Sequence, residues 1–136
     1  MEPLIIENTE FSPQVILDPV SNKFVLSGES RPENSGKFYE PIVKWLEQYQ
    51  TVLFWQKDKF GTPPKMIFEF KLEYFNSTSA KYLMDILRQL DTYYSEKIDV
   101  KILWFNDEND EDMRESGEEF AKLVKVPFEY LFFDKN

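Results

Sequence analysis

The chain has 136 residues, a net charge of −9 and 42% hydrophobic residues, which suits one folded domain and excludes a disordered chain. It contains no cysteine and no histidine, which excludes disulfides, cysteine-ligated zinc and Ser-His-Asp catalysis. Its acidity, with an isoelectric point near 4.6, argues against nucleic-acid or membrane partners. No targeting region begins the sequence, and no stretch approaches the ~18 apolar residues of a membrane span. We therefore expect one cytoplasmic domain over residues 1–136.

The first thirty residues predict a β-hairpin. Two short apolar runs, Gln14–Asp18 and Lys23–Ser27, flank the turn residues Pro19–Asn22. The polar tract Arg31–Gly36 then predicts a loop.

A helix is predicted over Lys37–Tyr49. Its apolar residues recur three or four positions apart, namely Phe38, Ile42, Trp45, Leu46 and Tyr49. This start puts Pro41 in the first turn, where the missing N–H costs nothing. The run Thr51–Trp55 is ambiguous, and the glycine and two prolines in Lys57–Pro64 predict a loop.

The stretch Lys65–Phe75 shows the clearest strand pattern. Apolar residues of one face alternate with mostly charged residues of the other. The apolar face carries Met66, Phe68, Phe70, Leu72 and Tyr74. A second helix follows and runs to about Lys97. Its expected buried stripe is Ala80, Leu83, Met84, Leu87, Leu90 and Tyr94, flanked by Ile86 and Tyr93.

The last third of the chain predicts a strand over Val100–Phe105, a helix over Asp110–Val124 and a strand over Phe128–Phe133. The inward residues of this helix are expected to be Met113, Phe120, Leu123 and Val124. Strands that alternate with helices from Lys65 onward imply right-handed crossovers and parallel pairing. The chain therefore predicts a single α/β domain, with a mixed sheet built from an antiparallel N-terminal hairpin followed by βαβαβ, and helices packed on the sheet.

Three hydroxyl residues stand where the strand 65–75 meets the second helix, in the sequence Asn76-Ser77-Thr78-Ser79. Capping a helix N-terminus needs only one such side chain, and we expect one of the three hydroxyls to do it. Two interpretations stay open: capping alone, or capping together with an anion site or phosphoacceptor. A serine hydrolase is disfavoured because there is no glycine elbow and no histidine base.

An acidic run spans Asp107–Glu119, with eight carboxylates against Arg114 alone. The first, third, fifth and twelfth places of a calcium loop are matched by Asp107, Asn109, Glu111 and Glu118. The sixth place, which should be glycine, is Asp112, and a strand precedes the loop instead of a helix. A solvated helix start is the favoured interpretation, and a metal-binding or enzymatic use of these carboxylates is the alternative.

Four stretches carry a resemblance to a known family, namely Glu40–Leu46, Phe70–Lys81, Asp110–Met113 and Gly117–Phe120. Among them, the Tyr-Phe-Asn-Ser sequence at 74–77 is the most specific. On these residues the chain resembles the SiaC family of bacterial regulatory phosphoproteins, over nearly its whole length from residue 6 to residue 133.

The resemblance implies a fold similar to STAS domains and a non-enzymatic partner switch that needs no cofactor or metal. It implies phosphorylation by an anti-sigma-type Ser/Thr kinase at the start of the second helix and reversal by a PP2C-type phosphatase. It also implies that the unphosphorylated form binds and activates a diguanylate cyclase, which raises cyclic-di-GMP and promotes biofilm formation. An interaction module with no switch is a further alternative.

The site residues follow from aligning the family's motif with this sequence. If Asn76 matches the residue before the acceptor, the acceptor is Ser77. If residue type decides, it is Thr78, because the family's acceptor is a threonine. The partner surface is expected to centre on the start of the second helix, with Tyr74, Asn76, Ser79, Lys81 and Tyr82.

Overall fold

The computed structural model describes residues 1–61 and 65–134, and the strands in those ranges form one mixed sheet. In chain order the elements are β1 (Leu4–Ile6), β2 (Gln14–Asp18), β3 (Lys23–Ser30), α1 (Ser35–Phe60), β4 (Met66–Phe75), α2 (Ser77–Ser95), β5 (Val100–Asn106), α3 (Glu111–Ala121) and β6 (Phe128–Phe132). The strands follow chain order in the sheet; β1 to β3 pair antiparallel and β3 to β6 parallel. The predicted α/β fold is confirmed, although β1, only three residues long, was not predicted.

The helices cover one face of the sheet. Alternate residues of β4 and β5 are almost completely buried, among them Phe68, Phe70 and Trp104. The residues between them, such as Glu69 and Lys101, are only half-buried. Successive side chains of a strand point to opposite faces, so the core lies on the helix side and the other face is open.

Helix α1 is longer than the sequence predicted. It begins at Ser35 and ends at Phe60, where Gly61 adopts a positive φ of 79° and closes the last turn. The loop predicted at 57–64 was therefore wrong for residues 57–60, which are helical. Residues 62–64 lie outside the described ranges.

The buried face and the first turn of α1 also differ from the prediction. Tyr39 is fully buried, whereas Phe38, one of the apolar residues that the sequence placed at helical spacing, is only partly buried. Pro41 lies in the second turn and not in the first. Because proline has no N–H, the carbonyl of Lys37 lacks its usual intrahelical partner.

Two expected inward positions on α2 and near α3 are exposed. Tyr94, which was predicted to lie in the buried stripe, is 39% exposed, and Tyr93, which was predicted to flank the stripe, is fully buried. The buried face shifts by one residue here because a helix has 3.6 residues per turn. Leu123 is exposed because α3 ends at Ala121. None of the helices in the part of the chain that the structure describes has the length and apolarity needed to cross a membrane.

Candidate functional site

The start of α2 lies at the carboxyl edge of the parallel strands. β4 ends at Phe75, α2 begins at Ser77, and α1 begins at the same edge because it follows β3. A cleft between the two helix starts is lined by Pro32, Glu33, Asn34, Ser35, Gly36, Lys37, Asn76, Thr78 and Tyr82. Neither helix has an acidic residue in its first turn. Because both helices begin at this cleft, the positive ends of their dipoles lie there, and no acidic side chain of either first turn offsets them.

Asn76 caps α2. Its side-chain Oδ1 accepts a hydrogen bond from the backbone N–H of Ser79 at 2.8 Å. The prediction that one of the three hydroxyls caps the helix was therefore wrong, because the amide oxygen takes that place. Ser77 and Thr78 are exposed, and neither side chain makes a hydrogen bond to any described residue. Both residues are therefore accessible from solvent.

Ser79 is completely buried. Its hydroxyl donates to the backbone carbonyl of Ser30 at 3.1 Å, and the Ser30 hydroxyl donates to it at 2.8 Å. Its side chain points into the core below the helix start, so in the structure Ser79 is not on the surface where partner contacts were expected.

Tyr82 and Lys81 extend the site along α2. The Tyr82 ring stacks on Tyr39 of α1, with centroids 5.6 Å apart and planes 4° apart. Lys81 is exposed, and its Nζ lies 5.4 Å from the centroid of the Tyr82 ring. The structure thus brings Asn76, Thr78, Lys81 and Tyr82 to one surface, bordering α1.

Tyr74 lies on the other side of the α2 start. The pairing register between β3 and β4 shifts after Gly28, so Glu73 is an extra residue in β4. This bulge turns Tyr74 outward, where it is 48% exposed, and Phe75 inward. Tyr74 lines a second cleft, shared with Asp110 and Asp112 at the start of α3.

Comparison with known families identifies the chain. The family model for the SiaC family regulatory phosphoprotein matches residues 6–133. The chain belongs to the SiaC family. It is accordingly a regulatory protein and not an enzyme.

Similar proteins come from Pseudomonas aeruginosa. An uncharacterised protein of strain UCBPP-PA14 is 28% identical over 128 residues, covering 94% of both chains. The crystal structure of apo-SiaC is 25% identical with a TM-score of 0.82, covering 96% of this chain and 98% of that chain. The crystal structure of the diguanylate cyclase SiaD in complex with its activator SiaC matches with 25% identity and a TM-score of 0.84, covering 96% and 99%.

The acidic segment of this SiaC-family chain forms the turn before α3 and most of that helix. Asp107 accepts a hydrogen bond from the Asn109 N–H, and Asp110 caps α3 through the Met113 N–H at 3.1 Å. Glu111 and Glu118 both lie on α3, about 10.5 Å apart along its axis at 1.5 Å per residue, and so do not belong to a loop that wraps around one ion. Within 1–61 and 65–134, no group of three or more acidic side chains is arranged to hold a metal. The arrangement does not support the calcium-loop alternative.

Calorimetric titration with calcium, magnesium and manganese is expected to show no micromolar binding. The reason is the separation of the carboxylates along α3, which leaves no six- to eight-oxygen shell. Micromolar affinity that disappears in Asp107→Ala or Glu118→Ala would contradict this prediction.

Sequence analysis missed three contributors to the site. Ser30 and Tyr39 form its buried floor, and the first turn of α1 forms the far wall of the cleft. Ser30 was detectable, because it continues the inward alternation of Phe24 and Leu26 beyond the predicted end of β3. Nothing in the local pattern indicated that α1 and α2 begin side by side.

Proposed function

We propose that the chain is a phosphorylation-controlled activator of a diguanylate cyclase. Its unphosphorylated form binds and activates the cyclase, which raises cyclic-di-GMP and promotes biofilm formation, and phosphorylation ends the interaction. The observation that carries the proposal is the pair of exposed, unbonded hydroxyls of Ser77 and Thr78 at the start of α2. Support comes from the similar SiaC, which is described as the activator of SiaD.

The switch needs two enzymes in the cytoplasm, where we propose that the chain acts. An anti-sigma-type Ser/Thr kinase transfers the phosphoryl group of ATP to a hydroxyl at the start of α2, and ADP leaves. A PP2C-type phosphatase hydrolyses the phosphate ester. Capping by Asn76 supports this cycle, because the helix keeps its cap whether or not a hydroxyl is modified.

Ser77 and Thr78 both remain candidates for the acceptor. Ser77 directly follows the cap residue Asn76, which favours it by position in the motif. Thr78 matches the family's residue type and lines the cleft between α1 and α2.

The proposed cyclase-binding surface surrounds this turn. Lys81 and Tyr82 form the part of this surface next to α1, and Tyr74 forms the part next to α3. Exposed tyrosines are common anchors in protein interfaces, because their rings bury a large area at low entropic cost.

Charge reversal at Lys81 is expected to weaken cyclase binding about tenfold, a loss of about 1.4 kcal/mol in binding free energy. The substitution removes the cation beside Tyr82 and places an anion at the centre of the surface. The melting temperature should hardly change, because exposed substitutions are usually within ±0.5 kcal/mol. The measurements are affinity for the cyclase, cyclase turnover with and without the chain, and thermal unfolding of Lys81→Glu.

Lys65→Glu is the matched control. Lys65 is also exposed, but it precedes β4 and so lies at the opposite edge of the sheet. A cyclase that is not bound or stimulated by the wild-type chain would refute the proposed function. Equal weakening by both variants would refute only the location of the surface.

A further inference from the structure

Three buried hydroxyl groups form a continuous hydrogen-bonded chain below the first turn of α2. They belong to Ser30 at the end of β3, Tyr39 in α1 and Ser79 in α2, and all three residues are fully buried. The Ser30 hydroxyl bonds to both of the others, and the Ser79 hydroxyl also bonds to the Ser30 carbonyl. One network therefore joins the sheet and two helices.

The direction of each bond in this network is fixed by counting protons. A hydroxyl has one proton to donate. Ser79 donates to the Ser30 carbonyl and Ser30 donates to Ser79, so Tyr39 must donate to the Ser30 hydroxyl. Burial raises the pKa of Tyr39 above its ordinary value, which keeps this hydroxyl protonated. Every proton in the network has an acceptor.

The network holds both ends of the turn that carries the candidate acceptors. The Ser30 carbonyl accepts the backbone N–H of Asn76 at 3.0 Å as well as the Ser79 hydroxyl. Ser77 and Thr78 are the two residues between these anchored positions. Movement of Ser30 would therefore move both ends of the acceptor turn.

From this arrangement we infer that Ser30 and Tyr39 are positioning residues for the acceptor turn: they hold Ser77 and Thr78 in the geometry that the kinase and the cyclase recognise. The inference rests on the proposed function. A buried polar network in which every group has a hydrogen-bond partner is rigid and favours one arrangement of its residues. Apolar packing alone favours a single arrangement less strongly. Tyr39 also carries the stacked ring of Tyr82, so the same side chain supports the turn and the adjoining surface.

Tyr39→Phe tests the inference because it removes one hydroxyl and keeps the ring that stacks on Tyr82. Tyr93→Phe is the matched control. Tyr93 is also fully buried, and its hydroxyl joins α2 to the Leu46 carbonyl of α1, but it lies near the far end of α2. Each variant loses one buried hydrogen bond between two elements of the fold. Tyr39→Phe loses the bond between α1 and β3 at the site, and Tyr93→Phe loses the bond between α2 and α1 away from it.

Three quantities are measured on both full-length variants: amide hydrogen exchange at the hydrogen-bonded residues of the turn, Asn76, Ser79 and Ala80, in the free protein, kcat/KM for the kinase, and affinity for the cyclase. Tyr39→Phe should speed exchange in this turn and lower both kinase efficiency and cyclase affinity about threefold to tenfold, the range expected for one hydrogen bond. Tyr93→Phe should leave all three quantities unchanged, although it should lower the melting temperature by about as much as Tyr39→Phe does. Equal functional losses in the two variants, or unchanged exchange and unchanged function in Tyr39→Phe, would overturn the inference.

Ser30→Ala completes the test. If Tyr39 acts through Ser30, Tyr39→Phe should add no further exchange or functional loss in the Ser30→Ala background, and additive effects would overturn the inference. The exchange measurement needs no partner. A wild-type chain that neither kinase nor cyclase recognises would refute the proposed function, whereas exchange still reports whether Ser30 and Tyr39 hold the turn.

Discussion

Phosphorylation of Ser77 or Thr78 is expected to weaken cyclase binding about a hundredfold or more while the domain stays folded. A phosphate ester carries about −1.5 to −2 charges, and an interface that buries it unmatched loses several kcal/mol to desolvation. Each 1.4 kcal/mol is a factor of ten in affinity, so a hundredfold loss needs only about 2.7 kcal/mol.

The fold should hardly respond to the same modification. Both hydroxyls are exposed, and neither bonds to a described residue, so no internal contact is lost. The first turn of α2 contains no acidic side chain, and an anion at a helix N-terminus gains about 0.3–1 kcal/mol from the dipole. The melting temperature should therefore stay level or rise slightly.

The measurement compares cyclase affinity of the bare and kinase-treated protein, with mass spectrometry to locate the phosphate. Ser77→Ala and Thr78→Ala separate the two acceptors, since only the variant that lacks the acceptor should keep full affinity after kinase treatment. If the kinase labels neither residue, or if the phosphorylated form binds the cyclase as tightly as the bare form, the proposed phosphorylation switch is wrong.

Much of the site could be predicted from the sequence because its signals are local. A strict alternation over 65–75 followed by an Asn-Ser-Thr-Ser cluster indicates a strand that runs directly into a helix, and the structure has this junction. The order of strands and helices likewise sufficed for the parallel part of the sheet. These features depend on neighbours along the chain and require no knowledge of distant contacts.

The features that were not predicted depend on contacts between distant residues. Alternation placed Tyr74 on the apolar face of the strand, whereas the family resemblance placed it on the partner surface. The β4 bulge reverses the faces, so Tyr74 is exposed and Phe75 packs near Trp104 and Phe120 instead. Ser79 looked equivalent to Ser77 because both are hydroxyls at a helix start. The partner of the Ser79 hydroxyl, Ser30, lies 49 residues earlier in the sequence, so the local pattern could not show that this hydroxyl bonds inside the core.

Gly117→Ala is expected to destabilise the fold by about 2 kcal/mol, even though alanine favours a helix by about 1 kcal/mol over glycine. A Cβ at this position in α3 would lie 2.5 Å from Cδ1 and 2.6 Å from Nε1 of Trp104. The indole is held in place, because it is fully buried and its Nε1 donates to the Met113 carbonyl at 2.9 Å. Its ring also packs against Phe70, with centroids 5.4 Å apart. Relief therefore requires α3 to move off β5.

Thermal unfolding measures this effect. For a chain of this size, 2 kcal/mol corresponds to a fall of roughly 6–10 °C in melting temperature. Glu115→Ala is the matched control, since it lies two residues away on the exposed side of the same helix and should change stability by less than about 0.5 kcal/mol. A Gly117→Ala protein that melts at or above the wild-type temperature would mean that α3 is free to shift. The close approach of Gly117 to Trp104 would then not be what fixes the helix on the sheet.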